Sequence, residues 1–173
     1  MQSETKRFLI TSLTLGIIAA SSGLLIGLSN LLTKDKIAYN EAQRISKGIK
    51  QLFDKDADID SEESLTGKYV NYKYVVKVND EIKGYAIRTT GSNDYGKITL
   101  LAGFSNTSHD FVGVYLIVNE QSYASTLVDN YITPLNAGER NVDDVSCGAT
   151  YGAKLVRDMV NEAQDAVSKI NKV

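Results

Sequence analysis

The 173-residue chain predicts an α+β fold: an N-terminal transmembrane helix followed by a small antiparallel sheet flanked by helices. Three observations carry this. A long uncharged run stands near the N-terminus, paired β-type segments follow it, and an amphipathic helix comes last, with no strand-helix-strand alternation that would imply a parallel sheet.

From Phe8 to Leu32 no charged residue occurs, and a bilayer core needs roughly 20 such residues. A cleavable signal peptide is the rival, since Lys6 and Arg7 precede the run and Ala19-Ala20-Ser21-Ser22 offers small residues to a peptidase. Apolar residues continue past that point through Leu24, Leu25, Ile26, Leu28, Leu31 and Leu32, which favours a retained anchor in contact with membrane lipid. Lys6 and Arg7 on one side are balanced by Lys34 and Lys36 on the other, so the positive-inside rule does not orient it.

Lys34 to Phe53 reads as a helix, with Ile37, Ala42, Ile45, Ile49 and Leu52 at helical spacing, either packed along the domain or acting as a stalk. The acidic stretch Asp54 to Glu63 breaks that pattern and reads, with Leu65-Thr66-Gly67, as an exposed loop. Tyr69–Val78 and Ile82–Thr89 form a hairpin around Asn79-Asp80-Glu81, and Lys97–Phe104 and Phe111–Val118 a second one, giving about four strands. Ser122 to Tyr131 reads as a short helix, with the only proline, Pro134, in the loop after it, and Lys154 to Ile170 as the C-terminal helix.

Composition excludes several functions. The formal net charge is −2 and no basic run exists, so no nucleic-acid partner is expected. One cysteine and one histidine leave no cysteine cluster, no disulfide and no ordinary zinc site, so no metal is expected. His109, within Asn106-Thr107-Ser108-His109-Asp110, reads as a turn residue rather than a catalytic base, and no catalytic residue is assigned.

The chemistry points to Asp144-Val145-Ser146-Cys147-Gly148-Ala149-Thr150, directly before the C-terminal helix. Small residues there let backbone approach an anion at the positive end of a helix, and Thr150 offers a hydroxyl. Taken alone, the same composition also suits an ordinary helix cap.

The segment resembles the flavinylation motif of the FMN-binding domain family, found in the G subunit of Rnf electron-transport complexes and the C subunit of the sodium-pumping NADH:quinone reductase. Tyr95-Gly96-Lys97-Ile98-Thr99-Leu100 with Phe111-Val112-Gly113-Val114 is similar to the family's Gly-rich strand and its partner. Thr133-Pro134-Leu135 echoes its Thr-Pro-Gly segment. Cys147 stands where Ser or Thr is usual, Gly152 where a second hydroxyl often follows, and Asp144 fits the acidic position better than Asp143.

The resemblance implies FMN joined covalently to Thr150 through a phosphoester by an FAD-dependent flavin transferase. Asp144, Ser146, Cys147, Gly148, Ala149 and Tyr151 would surround the attachment. Tyr95, Gly96, Thr133, Pro134 and Leu135 would lie near the cofactor, with Tyr131 as a further aromatic neighbour. Other membrane redox subunits are the implied partners in an ion-coupled electron-transport system, with the C-terminal domain extracytoplasmic. The expected division is 1–33, cytoplasmic tip and anchor; 34–66, helix and acidic linker; and 67–173, FMN-binding domain. A flavin-dependent reductase and a non-redox anchored binding domain remain the alternatives.

Overall fold

The computed structural model describes residues 2–170; residues 1 and 171–173, counted in the first and last expected segments, lie outside the described residues. The chain divides into two compact units, 1–42 and 43–173.

In the first unit the chain is helical, as part of α1 (Gln2–Leu52). Within α1 lies an apolar stretch long enough to cross a membrane. Phe8, Leu13, Leu25 and Ile26 are largely exposed. The hydroxyls of Thr11, Thr14, Ser21 and Ser22 donate to the carbonyls four residues back, at 2.8–2.9 Å. Such internal bonding satisfies polar groups that hydrocarbon could not.

The second unit holds a five-stranded antiparallel meander in the order β1 (Asp58–Ser64), β2 (Val70–Val78), β3 (Glu81–Asn93), β4 (Gly96–Ser105) and β5 (Phe111–Asn119). Asn79 and Asp80, with φ of 51° and 64°, make the β2–β3 connection a two-residue turn whose handedness matches strand twist. His109, φ 56°, sits in the β4–β5 turn, where its carbonyl accepts from Gln164 Nε2 at 2.9 Å.

From Asp58 onward the acidic stretch is a strand and not a loop; only residues 54–57 are irregular. β1 escapes a period-two reading because it is an edge strand exposed on both faces, so nothing alternates along it. Its charges meet lysines of β2 instead: Asp60 pairs with Lys77 at 2.6 Å, and Glu63 with Lys73. The sheet therefore has five strands rather than four.

After β5 come α2 (Ala124–Leu127), a π-helical turn Val128–Ile132, and α3 (Thr133–Asn136). Pro134 is not in a loop: it occupies the opening turn of α3, which continues directly from the π-helical turn. The last helix, α4 (Thr150–Ser168), starts at Thr150 itself, four residues before the apolar periodicity becomes readable.

Two cores cover the two sheet faces. Leu155, Val156, Met159, Val160 and Ala163 of α4, with Leu127, Tyr131 and Leu135, pack on Ile87, Ile98, Leu100 and Phe104. On the other face Ile45 and Ile49 of α1 pack with Tyr74, Val76, Leu101 and Ile117. Contact there is close, since a Cβ on Gly48 would stand 2.5 Å from the Tyr115 ring. Arg44 also donates to the Ile117 carbonyl at 2.9 Å.

Tyr74 is buried, and its hydroxyl donates to Glu62 at 3.5 Å. Burial first, and then the Glu62 charge, pushes the phenol up to about 12. The folded state thus holds this proton more tightly than the unfolded chain, so the contribution to stability is complete below pH ~10 and is lost as pH rises through that higher value. In an ultraviolet phenolate titration, Tyr74 is expected to ionise after the exposed tyrosines, together with loss of the far-ultraviolet β signal.

Candidate functional site

A cleft of about 260 Å³ opens at one end of the sheet, lined by Tyr95, Gln121, Tyr123, Leu127 and the run Gly148–Gly152. Three pieces of chain meet there: the β3–β4 turn, the β5–α2 connection, and the N-terminus of α4.

The α4 end is open. Its N-cap residue is Ala149, no side chain caps it, and no acidic residue stands in its first turn. The first intrahelical bond runs from Ala153 N–H to the Ala149 carbonyl at 3.0 Å, which leaves the preceding N–H groups without helical acceptors. They point out of the positive end of a 19-residue helix. Thr150 is half-buried, and its hydroxyl makes no hydrogen bond to any described residue.

Gly148 makes the approach possible. With φ +81° it occupies the left-handed region, and a Cβ would meet Thr126 Cγ2 at 3.3 Å. Gly152, where a hydroxyl residue is more usual, has a packing reason: a Cβ would lie 3.2 Å from both Gln121 Oε1 and Leu127 Cδ2.

Aromatic side chains wall the mouth. Tyr95 and Tyr151 stack with centroids 5.1 Å apart and planes 23° from parallel. Both are exposed, as is Tyr123. Lys154 Nζ stands 5.8 Å from the Tyr151 ring centre.

Of the residues expected at the site, Thr150, Ala149, Gly148, Tyr151 and Tyr95 line the cleft. Gly96 adjoins it as the closing residue of the Tyr95 turn. Cys147 is buried in the core, with its carbonyl accepting from Asn130 Nδ2 at 3.1 Å. Ser146 is exposed outside the lining. Asp144 pairs with Arg140 at 3.4 Å, so this carboxylate neither caps α4 nor faces the cleft.

Thr133, Pro134 and Leu135 are not among the lining residues. Leu135 faces the core, and the neighbouring Asn136 clamps Val114 through both of its backbone groups at 2.8 Å. Tyr131 is fully buried with its hydroxyl on the Val142 carbonyl, so it is a packing residue rather than a wall of the cleft. Burial, and then the nearby Cys147, pushes its phenol well above the usual range.

Gln121, Tyr123, Leu127 and Arg140 were not singled out by the sequence. Arg140 lies four residues before Asp144 and donates to the carbonyls of Asp144 and Ser146 at 2.8 and 3.1 Å; that spacing is the signal that could have found it. Arg140→Ala is expected to cost about 1–2 kcal/mol and to speed hydrogen exchange across 141–149.

Residues 1–52 match the family described as the RnfG N-terminal region. The chain resembles the RnfG subunit. The match supports an Rnf-type electron-transport subunit and membership of a multi-subunit membrane redox complex, and it agrees with a single-pass anchor. It ends before the cleft, so the RnfG likeness rests on the N-terminal helix and the cleft on its own geometry. Comparison with curated proteins gives no match. Among the described residues no group of three His, Cys, Asp or Glu is placed to hold a metal.

Proposed function

We propose that this chain is the flavin-carrying, membrane-anchored electron-transfer subunit of an Rnf-type complex, with FMN joined through a phosphoester to Thr150. The carrying observation is the uncapped N-terminus of α4, which presents the unpartnered Thr150 hydroxyl to a tyrosine-walled cleft. A segment that served only to cap α4 would be expected to bond its first N–H groups through Asp144 or Ser146, and neither side chain does so.

The residues fit the group. Thr150 Oγ1 would carry the phosphoester, and the N–H groups at the start of α4 would hold its charge. Gly148 keeps the approach free of side-chain atoms. Tyr95, Tyr123 and Tyr151 offer flat apolar surface to the ring, and Lys154 adds positive charge beside them. When bound, the isoalloxazine would supply the redox chemistry, while the chain attaches and orients it.

The same reading puts this unit outside the cytoplasm, where covalent attachment would prevent loss of a cofactor that could not be recaptured. Maturation would need an FAD-dependent transferase on the same side. The test is intact mass and in-gel fluorescence of the full chain co-expressed with such a transferase, beside Thr150→Ala. One FMN less water on the parent and none on the variant is expected; an unlabelled parent beside a labelled control substrate would refute the assignment.

A further inference from the structure

Gln121 is the one polar side chain in the cleft wall that is almost wholly buried, at 6 % exposure. Its orientation is fixed by a short relay of amides. Asn93 Oδ1 accepts from the Tyr95 N–H at 2.9 Å, and Asn93 Nδ2 donates to the Tyr151 carbonyl at 3.2 Å, so the Asn93 amide faces one way only. Gln121 Nε2 then donates to Asn93 Oδ1 at 3.0 Å and to the Gly96 carbonyl.

With the nitrogen held between two acceptors, Oε1 must turn toward Gly152, where it lies 3.2 Å from the place a Cβ would take. That oxygen has no hydrogen-bond partner among the described residues. The residue is 6 % exposed, yet this oxygen is not among the buried atoms without a partner, so it opens on the cleft and is free to accept from a group that enters there. The cleft therefore presents two complementary elements: donors at the head of α4, suited to an anion, and beside the first turn a carbonyl oxygen that repels an anion and favours a donor.

We infer that Gln121 Oε1 seats the bound cofactor by accepting a hydrogen bond from a hydroxyl of the ribityl chain. This rests on the assignment of FMN to Thr150. Along FMN, the ribityl hydroxyls are the first donors after the phosphoester, whereas the N3–H of the ring lies at the far end. The acceptor beside the first turn of α4 selects the nearer group. Gln121 thus links the attachment point to the turn that carries Tyr95, because the same amide holds Asn93 and Gly96.

The test is a thermodynamic cycle on the full chain in detergent: the flavinylated parent, its flavin-free Thr150→Ala form, and Gln121→Met in each. Gln121→Met lowers Tm in both backgrounds because the Nε2 bonds are lost. In the flavinylated pair the loss is expected to be larger by roughly 2–4 °C, the size of one hydrogen bond in a chain of this length. The visible circular dichroism of the flavin should fall with it.

Equal losses in both backgrounds, with unchanged dichroism, would overturn the inference and leave water as the occupant of Oε1. If Gln121→Met does not fold, Asn93→Ala replaces it; that change removes one of the two acceptors that fix the Gln121 amide and replaces no residue of the cleft wall. The same excess loss supports the inference and equal losses overturn it. A parent without attached flavin would instead refute the Thr150 assignment itself, and this inference with it.

Discussion

A Thr150→Ala chain is expected to fold like its parent and to lose attached flavin completely. Thr150 stands at the first helical position, half-buried, and its hydroxyl neither caps α4 nor bonds any described residue. Removing it leaves no orphaned partner and opens no core cavity, so the stability change should stay within about 0.5 kcal/mol. The loss of label is all or none because no other hydroxyl shares the position. Ser146 is exposed outside the cleft, and Thr126 lies beyond Gly148. Thr150→Ser restores the hydroxyl and should restore part of the label. Intact mass decides: a fully labelled Thr150→Ala protein would move the attachment elsewhere and remove the reason for the open helix end.

The second large effect belongs to Gly96. Its φ is +133°, and a Cβ would fall 2.1 Å from the Glu120 carbonyl oxygen and 2.6 Å from its carbon. The obstacle is backbone, and Glu120 N–H is itself bonded to the Lys97 carbonyl at 2.9 Å, so neither chain can give way cheaply. Gly96→Ala is expected to cost about 2–4 kcal/mol in urea unfolding, combining backbone strain with overpacking. Because the same turn carries Tyr95 and holds Gln121, the variant should also disturb the visible dichroism of attached flavin. A neutral result would mean that the turn and the β5–α2 connection move independently.

How much was legible follows from what each signal depends on. The strands of both hairpins were readable from runs rich in Val, Ile and Tyr between turn residues, and the last helix because one face of it is buried, which imposes a period of 3.6. β1 was missed for the opposite reason: an edge strand with both faces in solvent has no period to read. Pro134 misled because a proline is compatible with the first turn of a helix as well as with a loop. At the site, the run Gly148–Thr150 was legible as a local segment, whereas Gln121 and Tyr123 reach the cleft only through the meander and the β5–α2 connection. The role of Gln121 depends on Asn93, 28 positions earlier, and no local pattern encodes such a pair.

Residues 43–52 of α1 belong to the same compact unit as the sheet, and Ile45 and Ile49 fill its second core. For anyone preparing a water-soluble version for spectroscopy, this fixes where the scissors go. Cutting at the visible end of the apolar run, or anywhere before Gln43, keeps that core intact. Starting at Phe53 would bare Tyr74, Val76, Leu101 and Ile117 to solvent, a patch that invites aggregation. The resulting insolubility could easily be mistaken for a failure to mature.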